Sequence, residues 1–360
     1  MQVVSDRCPG VLRLHDAADG QLARVRLPGG RLDARGLDGL AAAALLGNGL
    51  LELTSRASIQ VRGLSVAVAG RCAEVLIAAG LLPSPAHDRV RNILASPLPG
   101  RHPDSLAQTD DIVAELDGRL CADQALCDLT GRFLFAVDDG AALVGHRADV
   151  TLVATGPDSF RLGAREVSRG GAAQAALQAA RESVHGEPDR SLFAARRAER
   201  GPGPGVGAGR GLEQADKPHR RLALGALRQL DGRVALTVMP RLGRVDAVTA
   251  RALADLLRAH RTDVRLSTAR TLTVVDLEQG AAQALRASLE ALGLICDPES
   301  GWFGLTACAG KGACAKARFD VRAAATRRAA QRAAGAPAEH YSGCERNCGR
   351  PPEARLVIGG

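Results

Sequence analysis

The stretch GRLDA at residues 30–34 recurs as GRVDA at residues 243–247, an offset of 213 positions. The same offset carries SIQV at residues 58–61 to TLTV at residues 271–274. A single register held over such a length is hard to obtain by accident, and repeated segments are the signature of repeated structure. The sequence therefore indicates an internal duplication.

Both copies predict the same order of elements: strand, helix, strand, strand, helix. Asp33 and Asp246 suit the position before the first helix, because a carboxylate there accepts the unpaired N–H groups of the first turn. Gly80 and Gly293 suit the end of the second helix. The predicted strands are residues 22–27, 50–54 and 58–61, then 234–239, 264–267 and 271–275, and the second helices are residues 66–79 and 280–292. This order predicts an α+β fold, an antiparallel sheet with helices on one face.

Four cysteines near the C-terminus form two close-spaced pairs. Cys308 and Cys314 have the spacing C-x5-C, and Cys344 and Cys348 have the spacing C-x3-C. Four thiolates from two such pairs can bind one metal centre, either a [4Fe-4S] cluster or one tetrahedral zinc ion. Zinc sites usually have gaps shorter than C-x5-C, and four unrelated buried cysteines would have no reason to arrive in two glycine-flanked pairs. The cluster is the favoured interpretation.

The remaining cysteines are predicted to be ordinary thiols. Cys121 and Cys127 repeat the C-x5-C spacing but have no second pair downstream, so we expect two buried thiols. Cys72 and Cys296 are predicted to lie in the core.

Composition limits the function classes. The chain of 360 residues is long enough for two or more domains, and its charge of +8 is mainly arginine, since only Lys217, Lys311 and Lys316 are lysines. No basic run alternates with stacking aromatics, which disfavours nucleic acid and favours a polyanionic small ligand. No apolar run reaches membrane-spanning length and the N-terminus lacks a signal pattern, so we expect no membrane segment. The unpaired cysteines predict a reducing, cytoplasmic location.

Three arginines are candidate ligands for carboxylates. Arg56 lies in the tight connection between two predicted strands, Arg91 precedes a proline-rich loop, and Arg132 precedes the apolar stretch FLF. Three guanidinium forks that converge would select a polycarboxylate. For any one of them alone, a surface salt bridge is the competing interpretation.

These motifs together resemble the sulfite and nitrite reductase superfamily, in which C-x5-C and C-x3-C hold a [4Fe-4S] cluster beside a tetrapyrrole. Arg56, Arg91 and Arg132 match positions where the superfamily carries basic groups around the tetrapyrrole and its anionic ligand. Leu134 departs from the pattern, because the reductases have a second lysine there. This loss of a cation argues against reduction of a small oxyanion.

The match over residues 6–350 is closer to the precorrin-3B synthase branch of the superfamily. It includes RCPG at residues 7–10, GNG at residues 47–49 and FLFAVD at residues 133–138. The resemblance implies a pseudo-twofold, internally duplicated sulfite-reductase-like fold with two ferredoxin-like half-domains and two α+β cluster or substrate domains. We expect half-domains at residues 1–85 and 219–297, a substrate-type domain without metal ligands at 86–198, a Gly/Pro linker at 199–218, and a cluster domain at 298–360 that is cut short. Ala95 and Arg101 fall where the second copy has Cys308 and Cys314.

The resemblance implies an iron-sulfur monooxygenase that acts on a tetrapyrrole. In cobalamin biosynthesis, such an enzyme hydroxylates precorrin-3A at a meso carbon with dioxygen and closes a γ-lactone from the ring-A acetate. The implied cofactors are the [4Fe-4S] cluster as electron relay, a mononuclear non-haem iron, and NADH or a reduced carrier protein as electron donor. The eight histidines form no recognisable two-His-one-carboxylate spacing, so the ligands of that second iron stay unplaced. The alternatives are a sirohaem-dependent sulfite or nitrite reductase and, from another class, a non-enzymatic metal-binding or nucleic-acid module.

Overall fold

The computed structural model describes residues 8–144, 148–185 and 220–359. The predicted linker at residues 199–218 lies outside the described residues, as do Arg7, His146 and His219.

The first copy of the repeat has the predicted order of elements. Its elements are β1 (His15–Ala17), β2 (Gly20–Val25), β3 (Arg31–Leu32), α1 (Ala34–Leu45), β4 (Leu50–Leu53), β5 (Ile59–Leu64) and α2 (Ala69–Ala78). Residues 66–68, predicted to begin the second helix, form a 3-10 turn before α2.

The segment that follows builds a mixed sheet. Its elements are β6 (Ile93–Ala95), α3 (Asp110–Ala122), β7 (Phe135–Asp138), β8 (Val150–Ala154), β9 (Ser159–Leu162), β10 (Arg165–Ser168) and α4 (Arg169–His185). The strand order is β10-β9-β8-β7-β6, with β6, β7 and β8 parallel. The helices α3 and α4 pack together over a separate core that includes Leu116, Phe135 and Phe160.

The second copy repeats the first, and a short sheet closes the chain. The second copy consists of β11 (Gly225–Arg228), β12 (Val234–Val238), β13 (Arg244–Asp246), α5 (Ala247–His260), β14 (Val264–Leu266), β15 (Leu272–Leu277) and α6 (Gln279–Ala291). The final elements are β16 (Leu305–Ala307), α7 (Val321–Gln331), β17 (Glu339–Ser342) and β18 (Arg355–Ile358). The three final strands are parallel, in the order β16-β17-β18.

The predicted N-cap aspartates of the first helices and the glycines that end the second helices are confirmed. The Asp33 carboxylate accepts a hydrogen bond from Gly36 N at 2.8 Å, and the Asp246 carboxylate accepts one from Thr249 N at 2.7 Å. Gly80 and Gly293 end the second helices with φ of 79° and 80°, a conformation that favours glycine.

The two copies exchange one edge strand each, which the sequence analysis did not foresee. The short β13 of the second copy completes the sheet β1-β2-β5-β4-β13, and β3 of the first copy completes the sheet β11-β12-β15-β14-β3. Both sheets are antiparallel throughout, as predicted. The division into domains stays a prediction, and the exchange means that neither antiparallel sheet is completed by its own copy.

One apolar core joins the two copies. Leu40 of α1 and Leu253 of α5 are fully buried in it, as are Val61 and Val274 of the two central strands. Cys72 and Cys296 belong to this core as predicted, and burial raises the pKa of each thiol to about 11.

The expectation that Cys121 and Cys127 are buried is wrong, because both are half-buried. On α3 the buried stripe runs through Leu116 and Leu120, and Cys121 lies one residue off it. Beside Cys127, Leu126 takes the buried position.

Candidate metal centre and anion-binding site

Two of the four candidate cluster cysteines follow neighbouring parallel strands. Cys308 comes directly after β16, and Cys344 lies just beyond the end of β17. Because the carboxyl ends of parallel strands meet at one edge of a sheet, the loops that start there lie side by side. Cys314 and Cys348 lie further along the same two loops. The fold therefore brings together the two cysteine pairs that the sequence singled out.

Cys308, Cys314 and Cys344 lie close enough to Cys348 to affect its thiol electrostatically. Partial burial raises the pKa of Cys348, and negative charge on Cys344, Cys308 and Cys314 raises it further. Cys308 is buried, whereas Cys348 is exposed. Four thiolates gathered in one place repel one another, and a bound cationic metal core would relieve that repulsion.

The loop backbone also suits a sulfur ligand. Gly343 N donates a hydrogen bond to Cys308 Sγ at 3.3 Å, the kind of bond that tunes an iron–sulfur centre. A Cβ at Gly343 would lie 2.7 Å from Ala317 Cβ, so a larger residue would push this N–H away from the sulfur.

Within the described residues, no three His, Cys, Asp or Glu side chains are placed to hold a single metal ion. A cubane cluster has iron at four corners and spreads its ligands further apart than one ion does. The donor set, four cysteines on two adjoining loops with a backbone N–H on one sulfur, is of the kind that can hold such a cluster.

One face of the first antiparallel sheet carries a row of polar side chains. Arg24, Gln60, Glu52 and Arg244 are successive cross-strand neighbours on β2, β5, β4 and β13. Directly opposed residues point to the same face of a sheet, and so does Arg62, two positions beyond Gln60. The opposite face packs into the apolar core.

Three arginines gather at the β2 end of this row, and we call Arg24, Arg26 and Arg56 the arginine cradle. Burial lowers the pKa of Arg24, and the positive charge of Arg56 lowers it further. Burial, followed by the charge of Arg24, lowers the pKa of Arg26 to about 10. Arg24 Nε and Arg26 Nη2 are buried and have no hydrogen-bond partner in the described part of the chain. Buried donors of this kind are costly unless an acceptor binds there, so the cradle is suited to an anion.

The fold holds Arg26 firmly from behind. Its Nε donates to Asn92 Oδ1 at 2.7 Å, and its Nη1 donates to the carbonyl oxygens of Pro9 and Asp88 at 3.0 and 3.1 Å. Cys8 lies close enough for its charge to raise the pKa of Arg24 and Arg26, although burial outweighs this effect. Cys8 and Pro9 are therefore part of the cradle wall.

Arg56 lies at the tip of the hairpin between β4 and β5. Thr54 Oγ1 and Ser58 Oγ are 2.7 Å apart across its base, and Arg56 N donates to Thr54 Oγ1 at 3.2 Å. This polar clasp fixes the tip and holds the half-buried Arg56 near Arg24 and Arg26.

Arg91 and Arg132 are placed differently. Arg91 is buried and forms a two-pronged ion pair with Asp117, with N–O distances of 2.8 and 2.6 Å. To hold a substrate carboxylate, Arg91 would have to leave that pair. Arg132 is exposed in the turn before β7. Both substrate-binding assignments stay predictions.

A cavity of about 420 Å³ adjoins the cradle and is bordered by Arg26. Its volume falls within the usual range of small-molecule sites. Further arginines and three carboxylates line it, namely Arg31, Arg35, Arg91, Arg265, Asp33, Asp110 and Asp117.

Leu134, where the resemblance expects a lysine in reductases, is fully buried in the core that joins the two copies. Its backbone N donates to Asp149 Oδ2 at 2.8 Å. The position faces inward, and a cation there would need a buried partner.

The sequence analysis missed Arg24 and Arg26. Their spacing alternates with the buried Ala23 and Val25, the ordinary pattern of a strand with one polar face. The available signal was that both charged residues fall within a predicted strand, next to the turn that leads to α1.

The comparisons with known proteins match this architecture. Residues 15–79 and 227–292 each match the family model of the nitrite/sulfite reductase ferredoxin-like half domain, one match in each copy of the repeat. The chain is also similar to a precorrin-3B synthase from Sinorhizobium sp, with 27% identity over an alignment of 394 positions that covers 98% of this chain and 80% of that relative. The resemblance found in the sequence is confirmed.

Among solved structures, the chain is similar to the NirA protein of Mycobacterium tuberculosis. The TM-score is 0.72 with 20% identity, over 92% of this chain and 69% of that one. A likeness at this identity supports the fold, and the predicted duplicated α+β architecture is confirmed. No helix in the ranges 8–144, 148–185 and 220–359 is long and apolar enough to cross a membrane.

Proposed function

We propose that this chain is an oxygen-dependent precorrin-3B synthase, an iron-sulfur monooxygenase of cobalamin biosynthesis. In this proposal it hydroxylates precorrin-3A at a meso carbon and closes a γ-lactone from the ring-A acetate. One atom of dioxygen enters the product, and the other leaves as water after two electrons and two protons have been supplied.

The observation that carries the proposal is that one sheet face serves both the arginine cradle and the cysteine loops. Arg24 lies at one end of the polar row, and Arg62 on the neighbouring strand β5 donates to Ala313 O, beside Cys314, at 2.6 Å. An anionic ligand in the cradle would thus lie on the same sheet face that the cysteine loops adjoin, an arrangement that suits electron transfer to a bound macrocycle.

The residues of the cradle suit a macrocycle that bears many carboxylates. Arg24, Arg26 and Arg56 offer charge-assisted hydrogen bonds to carboxylate oxygens, and the two unpartnered donors have no existing hydrogen bond to break before they bind. Cys308, Cys314, Cys344 and Cys348 would hold the [4Fe-4S] cluster, which supplies one-electron transfer when bound.

A mononuclear iron for oxygen activation belongs to the proposal only as a family expectation. His87 is buried but engaged with Ser84 Oγ and the carbonyl oxygen of Asp123. His340 is buried and its Nδ1 is 2.9 Å from Thr306 Oγ1. Since the described residues offer no group of three ligands for a single ion, we assign no residue to it.

The test is an electronic spectrum with iron and acid-labile sulfide counts on protein purified without air, followed by turnover of precorrin-3A. We expect a broad iron–sulfur shoulder, and with reductant and isotopically labelled dioxygen we expect one labelled oxygen atom in the product. Strong Soret and red bands in stoichiometric amount would instead identify a sirohaem-dependent sulfite or nitrite reductase. Zinc in place of iron, together with a nucleic-acid affinity that falls steeply as salt is added, would identify a metal-binding or nucleic-acid module.

A further inference from the structure

Three arginines donate hydrogen bonds to backbone carbonyls of residues that adjoin the candidate cluster cysteines. The bonds run from Arg322 Nε to Ala309 O at 2.9 Å, from Arg62 Nη2 to Ala313 O at 2.6 Å and from Arg270 Nη2 to Gly349 O at 2.7 Å. The carbonyls belong to the neighbours of Cys308, Cys314 and Cys348, respectively. We call these three arginines the loop clamp.

The loop clamp is assembled from distant parts of the chain. Arg62 comes from β5 in the first copy, Arg270 from the β14–β15 hairpin in the second, and Arg322 from α7. Arg62 and Arg270 are buried, with 5% and 9% of their surfaces exposed. Burying two guanidinium groups beside the thiols is expensive unless nearby negative charge compensates them.

Glu52 is the carboxylate at the centre of the loop clamp. It is 8% exposed, and its Oε1 accepts from Arg322 Nη2 at 2.7 Å. Arg244 Nε lies 3.3 Å from the same oxygen, and Arg62 Nη1 lies 3.9 Å from Oε2. The Glu52 carboxylate thus lies within 3.9 Å of three arginine side chains.

The local charge balance is positive. Asp19 pairs with Arg62 at 2.8 Å, which gives two carboxylates for Arg62, Arg244, Arg270 and Arg322. Arg322 Nη1 is buried without a hydrogen-bond partner in the described residues. Burial, followed by the charge of Arg221, lowers the pKa of Arg270 to about 10, so Arg270 still carries its charge at neutral pH.

We infer that the loop clamp and Glu52 set the reduction potential of the cluster that these cysteines hold. The inference rests on the proposed function. A cluster ligated by four thiolates is negative, and reduction adds another negative charge, so fixed cations beside it favour the reduced form. Glu52 opposes them. These are positioning residues that act through the cysteine loops.

The decisive variant is Glu52→Gln, which removes one negative charge and keeps an oxygen that accepts from Arg322. The midpoint potential, followed by electron paramagnetic resonance during a redox titration, is expected to become more positive. A unit charge roughly 10 Å away at an effective dielectric constant of about 20 changes a one-electron equilibrium about tenfold. That factor corresponds to about 59 mV. Arg322→Gln is expected to shift the potential in the opposite direction.

The matched control is Arg71→Gln, which removes an exposed arginine paired with Glu74 on α2 and should leave the potential unchanged. If Glu52→Gln fails to load iron, Asp19→Asn serves as the second variant, and its midpoint potential is also expected to become more positive. Loaded variants whose potentials equal that of the wild type would overturn the inference. Wild-type protein that loads no iron and sulfide would instead overturn the proposed function.

Discussion

The loops after β6 and β16 are related by the 213-residue offset of the repeat, and they are stabilised in different ways. After β16 comes Cys314. At the equivalent position after β6 stands Arg101, whose Nε and Nη2 each bond an Asp276 carboxylate oxygen at 2.8 Å. Arg101 also bonds Asp110 at 3.2 Å. Where the offset places no metal ligand, an ion-pair network holds the corresponding loop.

The two hairpin tips have the same backbone conformation, but their arginines have different partners. Ala57 and Arg270 are equivalent, and both have positive φ, 47° and 61°. Ser267 Oγ and Thr271 Oγ1 are 2.7 Å apart, which repeats the clasp between Thr54 and Ser58 in the first copy. The arginine is displaced by one position between the tips. Arg56 lies with the arginine cradle, whereas Arg270 bonds the cysteine loop.

The largest effect is expected when a candidate metal ligand is removed from the second copy, which carries the four cysteines. Cys344→Ser is expected to lose iron, sulfide and the visible absorption together, because three thiolates do not complete the site. The measurement is the metal and sulfide content of protein purified without air. Cys121→Ser, outside the site, should retain both, and full iron and sulfide in Cys344→Ser would contradict the ligand assignment.

The next change makes the first hairpin tip like the second. Arg56→Ala is expected to weaken binding of a uroporphyrin, a stable tetrapyrrole polycarboxylate, about thirtyfold, because a charge-assisted bond to a carboxylate contributes about 2 kcal/mol. Fluorescence quenching measures the affinity, and the cluster signal should persist. Arg71→Ala is the exposed control. Equal affinity in the two variants would remove Arg56 from the site.

The smallest effect tests the ion pair that replaces a metal ligand. Arg101→Met should lower the free energy of unfolding by about 1.5 kcal/mol at pH 7, less than for a fully buried pair because Asp276 is partly exposed. Urea unfolding measures the change, with Arg71→Met as the control. A loss no larger than the control's would show that the pair contributes nothing to stability.

The same pair predicts a pH dependence. Burial raises the pKa of Asp276, but hydrogen bonds from Arg101 and Gln229 outweigh it, so the pKa is lowered. A carboxylate with a lowered folded pKa contributes stability above its unfolded pKa of about 3.9, and this contribution is lost as the pH falls through the folded value. The difference in free energy of unfolding between wild type and Arg101→Met should therefore shrink below about pH 4. A gap that is constant down to pH 3 would point to lost packing.

The duplication and the helix boundaries could be predicted because they depend on local signals. Asp33, Asp246, Gly80 and Gly293 act within one turn of their own helices. The exchanged strands could not be predicted, because β3 spans only Arg31–Leu32 and its partner is supplied by the other copy.

The cysteines of the site could be predicted because their spacing alone indicates metal binding. Ion pairs between residues far apart in the sequence could not be predicted. The cysteines are recognised by two short gaps. Arg91 gives no hint in sequence that Asp117 will occupy its fork, and Glu52 gives none that it will meet Arg322. Such pairings depend on tertiary packing.

The exchanged strands also constrain how the chain can be made. During synthesis, β4 emerges early, but its edge at Glu52 finds its neighbour only when Arg244 has left the ribosome. Until then the nascent protein carries an open sheet edge that can pair with strands of other chains. The long sequence separation between β4 and β13 also slows formation of the native pairing. A truncated product that stops before residue 244 would keep that edge bare, so premature termination should yield aggregates and chaperone clients instead of a half-size folded protein.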